Sequence, residues 1–411
     1  MLYHSPLKHF VKGLLGRKND AWYFDRMIAA YTQPQQQLTE QALWQASQLA
    51  TETDEVLLAQ PLPAQARLHP LYQPAMQLRQ QLLQQQADTQ PLKGWQVLIQ
   101  LPPDAFSPGW ASWFGSIGEA MQLMGAQVHL QWNNWNAALV ASADLILSQA
   151  NPAFVQHWPA QMHQWLKPNA LFACYCSFEQ QNEDAATQLY TQLRQQGVNL
   201  LVNAADAAYI HQSPHSSWAQ AAAGLRIASL PFGANPLRHY PTPWLMPAAD
   251  YVFLGSANYD KAKRYHDFFY PLMQRCYQGI MAGQGWPWSN DYSLLTQRDR
   301  WMYAQATVGI NLHLQSQVDA PTELNERTYI LFASGTPQLI DRPALLEQYF
   351  QPHAFTADSC SQYIQLLEKA LQNENLRWEQ AAAKLEEVYQ QHTVFHRVAA
   401  WLLPVKQQGT H

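Results

Sequence analysis

The chain has 411 residues and a formal net charge of −5, too long for one ordinary core, so two or three domains are expected. Hydrophobic residues make up 47%, and charged residues only 13%, which excludes charge-rich disorder. No basic excess is available to neutralise a phosphate backbone, so composition predicts no nucleic-acid partner.

Residues 1–92 read as a helical N-terminal extension. "LTEQALWQASQLA" and "PAMQLRQQLLQQQA" carry apolar residues at helical spacing, and the Pro-punctuated "AQPLPAQARLHPLYQP" reads as extended linker. The tip places Leu7, Phe10, Val11, Leu14 and Leu15 on one helical stripe, beside Lys8, Lys12, Arg17 and Lys18. A short stripe of this kind is expected to pack on the protein's own N-terminal domain. Weak peripheral contact with the inner face of a membrane is the alternative. There is no signal-peptide h-region and no apolar run of spanning length, so a cytoplasmic protein is expected.

The pattern changes at Gly94. "WQVLIQL", "AQVHLQW", "ADLILSQ", "ALFACYCS" and "VNLLVNA" are predicted strands, with helices such as "SPGWASWFGSIGEAMQLMG" and "DAATQLYTQLRQQG" between some of them. Ser107 is the predicted N-cap of the first of these helices. Short apolar runs alternating with helices imply a parallel sheet, so residues 93–240 are predicted to form a Rossmann-like domain. The cysteines Cys174, Cys176, Cys276 and Cys360 show no CxxC pairing and read as free thiols.

The Pro-rich "LRIASLPFGANPLRHYPTPWLMP" reads as an interdomain linker. A second α/β series, residues 241–390, follows. "DYVFLGS" is a strand ending in Gly255 and Ser256, "KAKRYHDFFYPLMQRCYQ" a helix, and "VGINLHL" and "PQLID" strands. Residues 391–411 form a closing helix that could return to the N-terminal domain. The fold class is therefore α/β, with two Rossmann-like domains facing a cleft and an N-terminal helical extension.

Three places carry candidate chemistry. A Gly255-Ser256 turn before a helix suits an anion, although Gly255 can equally serve a tight turn. His313 lies at the predicted carboxyl end of a strand, where ligands of α/β sheets bind, or is simply structural. In "ELNERTYILFASGTPQLID", Asn325, Glu326 and Arg327 head a helix that ends at Gly335. Arg327 offers a forked cation and Asn325 an amide to a diphosphate, against the alternative of a core helix with a solvated head. No GxGxxG, P-loop, D-x-D, H-E-x-x-H or Gly-x-Ser-x-Gly pattern occurs.

The second half, through "YAQATVGINLHL…ELNERTYILFASGTPQLIDR…LLEQYF", resembles group-1 glycosyltransferases of the GT-B fold. The likeness is to the branch with an N-x-R-x-F-E-A-L-A-C-G-T-P-like donor helix, over about residues 250 to 400. "FLGS", "LPFGANP", "GQGWPW" and "HTVFHRVAAWL" add to the likeness. It implies transfer of sugar from a nucleotide diphosphate sugar to an acceptor hydroxyl, in surface glycan or glycoconjugate synthesis, with no cofactor and no metal. The acceptor would be a glycan, a lipid-linked molecule or a protein.

By that resemblance Asn325, Glu326 and Arg327 form the head of the donor helix, and Gly335, Thr336 and Pro337 the turn after it. Gly255 and Ser256 face the phosphates. His313, Arg264 and Trp286 complete the donor-binding set. Arg327 would stabilise the leaving diphosphate, and Asp104, just after the first strand, is the candidate base; a turn-favouring loop Asp is its alternative reading. Ile330 stands where the branch carries an acidic residue for the donor ribose, which keeps two other functions in view. One is a GT-B-shaped binding or scaffolding protein without turnover; the other is a sugar-nucleotide epimerase.

Overall fold

The computed structural model describes residues 54, 58–59, 66–101, 108–132, 135–178, 182–255, 262–273, 275, 277–282 and 298–408. Most of the predicted N-terminal extension, its basic tip included, lies outside these residues, as do Asp104, Ser107, Ser256 and Trp286. The described chain begins with β1 (Arg67–Leu68), which pairs antiparallel with β8 (Trp244–Leu245), and helix α1 (Tyr72–Thr89). The sequence reading treated both flanking stretches as linker. Two residues of β-pairing are too few to leave a periodic signature.

The first large sheet contains β2 (Gln96–Leu101), β3 (Gln127–Trp132), β4 (Leu145–Gln149), β5 (Leu171–Tyr175), β6 (Leu200–Asn203) and β7 (Arg226–Ser229). Its order is β3-β2-β4-β5-β6-β7, and every pair is parallel. Helix α2 (Pro108–Leu123) links β2 to β3. The inner strands are apolar runs because both faces of a parallel sheet are covered. Leu98, Ile146, Phe172 and Leu201 pack there with Leu189 and Leu193 of the helix spanning Glu183–Gln195. Strand β7 falls inside the stretch read as linker. Its "RIAS" is short and only partly buried, and the prolines after it dominated the pattern.

The second sheet contains β9 (Ala249–Leu254), β10 (Gly279–Ala282), β11 (Ala306–Asn311), β12 (Gln338–Asp341) and β13 (Thr356–Ala357). The order is β10-β9-β11-β12-β13, again all parallel. Helix α3 (Ala262–Met273) follows β9, and α4 (Glu326–Ala333) lies between β11 and β12. Tyr251, Phe253, Val308, Ile310 and Leu339 form one core face with Tyr265, Phe269, Tyr363 and Leu367.

Two compact units emerge. Among the described residues, one comprises those up to residue 80 and from 236 to 392; the other comprises those from 81 to 235 and from 393 onward. Helix α5 (Val394–Gln408) thus belongs with the first sheet, where it packs on α2. Val394, Phe395, Val398, Trp401 and Leu402 are buried.

Candidate functional site

In the second sheet, β9 has β10 on one side and β11 on the other. The chain leaves the ends of β9 and β11 in opposite directions, and a parallel sheet binds ligands in the crevice at that switch point. Helix α4 brings Arg327 to this place. Its Nε donates to the carbonyl of Leu254, the last residue of β9, at 2.6 Å. Its Nη1 donates to Oδ1 of Asn311, the last residue of β11, at 3.2 Å. The guanidinium carbon stands 4.3 Å from the Phe253 ring centroid. Among the described residues, no carboxylate pairs with Arg327. A half-buried cation with only neutral acceptors keeps its charge for a ligand.

Gly255 explains itself here. A Cβ built on it would stand 1.9 Å from Arg327 Nη2. The glycine therefore makes room for the guanidinium, beyond the tight turn that the sequence suggested.

Asn325 caps α4, with Oδ1 accepting from the Thr328 N–H at 3.0 Å and from Thr328 Oγ1 at 3.0 Å. Its Nδ2 donates to Asn311 Oδ1 at 2.8 Å and to the Leu312 carbonyl at 3.0 Å. The amide is thus fully engaged within the protein, not turned toward a diphosphate as the sequence reading had it. Glu326 occupies the first turn of α4, partly exposed.

His313 lies just beyond β11 and is 0% exposed. Its Nδ1 stands 2.6 Å from Asp341 Oδ1, and its Nε2 is 3.1 Å from Thr328 Oγ1. Neither ring nitrogen faces outward, so the expected donor contact becomes a brace behind the helix head. Arg264 is likewise turned inward: Nη2 donates to Asp341 Oδ2 at 2.5 Å and Nη1 to Gln315 Oε1 at 2.7 Å. Burial by itself would raise the Asp341 carboxyl. His313 and Arg264 outweigh it and hold the group below the ordinary carboxylate range.

The far end of α4 closes with Gly335 at φ +64°. The Gly335 N–H bonds to the Phe332 carbonyl and the Thr336 N–H to the Leu331 carbonyl, each at 3.1 Å. This is the paired closure that a left-handed residue permits. Thr336 lies in the turn where the resemblance puts it, but it is 4% exposed and closes that turn; it is not an open donor contact. Ile330 packs beside Ala249, Val252 and Ala306 and offers no acceptor.

The structure brings Gly255 and Arg327 to one place and sets Asn325, His313 and Arg264, expected as donor contacts, behind them as support. The sequence reading missed Asn311, Thr328, Gln338 and Asp341. Thr328, three residues after the cap, and Asp341, ending a buried strand, were the available signals.

Residues 263–403 match a family model described as "Glycosyl transferase-like". Among solved structures, T4 phage BGT in complex with its UDP-glucose substrate is 12% identical. It covers 76% of this chain and 98% of its own, with a TM-score of 0.50. Sucrose-phosphate synthase from Thermosynechococcus elongatus gives the same four values. The fold is that of the GT-B glycosyltransferases. An α-glucosyltransferase described in complex with UDP and a 13-mer DNA also matches this GT-B chain, at 9% identity and TM-score 0.50, over 76% of this chain and 98% of that one. The composition-based expectation of no nucleic-acid partner draws no support from such GT-B neighbours. No curated protein matches the chain. Among the described residues, no helix is long and apolar enough to cross a membrane.

Proposed function

We propose that the chain transfers a glycosyl group from a nucleoside diphosphate sugar to an acceptor hydroxyl. The observation that carries this reading is Arg327, a guanidinium with no carboxylate partner among the described residues, fixed across the switch point between β9 and β11. Negative charge grows on the leaving diphosphate as the glycosidic bond breaks. A preorganised cation there lowers the barrier without reorganising. Gly255 leaves the space for it. Asp104, in the segment after β2, is the proposed base for an inverting reaction. The reaction is proposed to need no metal, and the acceptor to belong to glycan or glycoconjugate synthesis.

A uridine donor is the first to test, because T4 phage BGT is described with UDP-glucose. A nucleoside diphosphate at 100 times its Kd should stabilise the protein by about 2.7 kcal/mol. No thermal shift with any nucleoside diphosphate would defeat the reading. A second reading, a binding protein without turnover, is favoured by Ile330, which lies in an apolar cluster where the resemblance calls for an acid. Nucleotide binding with neither transfer nor donor hydrolysis would select it. Product formed from the donor alone, with no acceptor, would instead mark an epimerase.

A further inference from the structure

We infer that Asn311 is the positioning residue of this site, holding Arg327 in place while leaving its charge un-neutralised. The inference rests on the donor-site reading above. Asn311 is 0% exposed and ends β11. Its Oδ1 accepts from Asn325 Nδ2 at 2.8 Å and Arg327 Nη1 at 3.2 Å. Its Nδ2 donates to Thr328 Oγ1 at 2.9 Å and Gln338 Oε1 at 2.7 Å. All four hydrogen-bonding positions of the side-chain amide are therefore taken.

One side chain thereby ties the strand end to the helix cap, to the first turn of α4 and to the neighbouring strand β12. A carboxylate would fit the same space and bind the same guanidinium more strongly. It would also cancel the charge that a diphosphate needs. A buried amide in this position gives orientation without neutralisation, and only a site meant for an anion gains from that distinction.

The test is Asn311→Asp, titrated with UDP at pH 8 beside the parent protein. At pH 8 the new carboxylate pairs with Arg327, and the Kd for UDP should rise about tenfold or more, the scale of one charge-assisted hydrogen bond. A carboxylate beside a guanidinium keeps its charge well below pH 8, as Asp341 does beside His313 and Arg264, so the effect should not fade on mild acidification.

An unchanged Kd overturns the inference. Phenylglyoxal labelling of Arg327, read by mass spectrometry, separates this from failure of the donor-site reading. Slower labelling in Asn311→Asp supports the coupling even if the parent binds no UDP, and equal labelling overturns it. Should Asn311→Asp not fold, Asn311→Ser removes the acceptor without adding charge. Its Kd should rise severalfold, and an unchanged Kd overturns the inference.

Discussion

At the scale of the residue, Arg327 is the group on which the functional reading turns. Arg327→Ala removes a charge-assisted contact of about 1.5–3 kcal/mol, so kcat/KM should fall roughly 10- to 150-fold with unfolding unchanged within about 1 kcal/mol. Arg327→Lys should recover part of this, since an ammonium cannot bond Leu254 and Asn311 at once. Wild-type kinetics in the Ala variant would remove the residue from the site. Asp341 is the contrasting case, a carboxylate that supports the site without reaching it. Asp341→Asn leaves Arg264 buried beside a neutral group and should cost about 3–5 kcal/mol, read as a lower urea midpoint. Because the folded Asp341 carboxyl sits below its ordinary value, its contribution is complete above about pH 4. It is lost as pH falls through the lower, folded value. The parent should therefore lose more stability than Asp341→Asn between pH 4 and pH 2.

At the scale of the element, α4 is held at both ends by local chemistry. Asn325 caps one end, and Gly335 at φ +64° closes the other. Gly335→Ala forces a side chain into the left-handed region, with its Cβ 3.0 Å from Pro241 Cγ and 3.1 Å from His69 Cε1. A loss of about 1–2 kcal/mol is expected in thermal unfolding, with little change in kcat if the helix keeps its head in place. A large drop in kcat at unchanged stability would mean that the turn does more than end the helix. The Gly335 cap was legible in the sequence, because it depends on one residue type next to the end of the apolar run, whereas Asn325 reads there as a ligand contact and only the structure shows it capping Thr328. The short strands β1 and β7 were not legible either, because their partners lie far along the chain.

At the scale of the whole molecule, the two units make separate predictions. Truncation after residue 392 removes α5, which covers α2 with Phe395, Val398, Trp401 and Leu402. The unit containing residues 81–235 should then unfold earlier or aggregate, which calorimetry of the truncated chain would read. An unchanged transition would show α5 to be dispensable. If phosphate charge is met by Arg327 and backbone N–H groups, transfer should persist in EDTA. Complete loss restored by Mn²⁺ or Mg²⁺ would contradict the metal-free mechanism.

The sequence by itself determined the α/β class, most strands of both sheets, the ends of α4 and the likeness to GT-B glycosyltransferases. Those features are written in local periodicity, in capping residues and in one contiguous motif. Only the tertiary structure decided which polar groups face the crevice. Asn325, His313 and Arg264 looked like ligand contacts because their residue types suit phosphate. The structure turns them onto Asn311, Thr328, Asp341 and Gln315. Apart from the Thr328 cap, three positions from Asn325, those partners lie 14 to 77 positions away in the chain. A buried polar group must find its hydrogen-bond partner wherever the fold provides one, and no spacing rule carries that information. Arg327 and Gly255 lie together because the fold sets the guanidinium against a residue without a side chain, a contact across 72 positions that no local pattern announces.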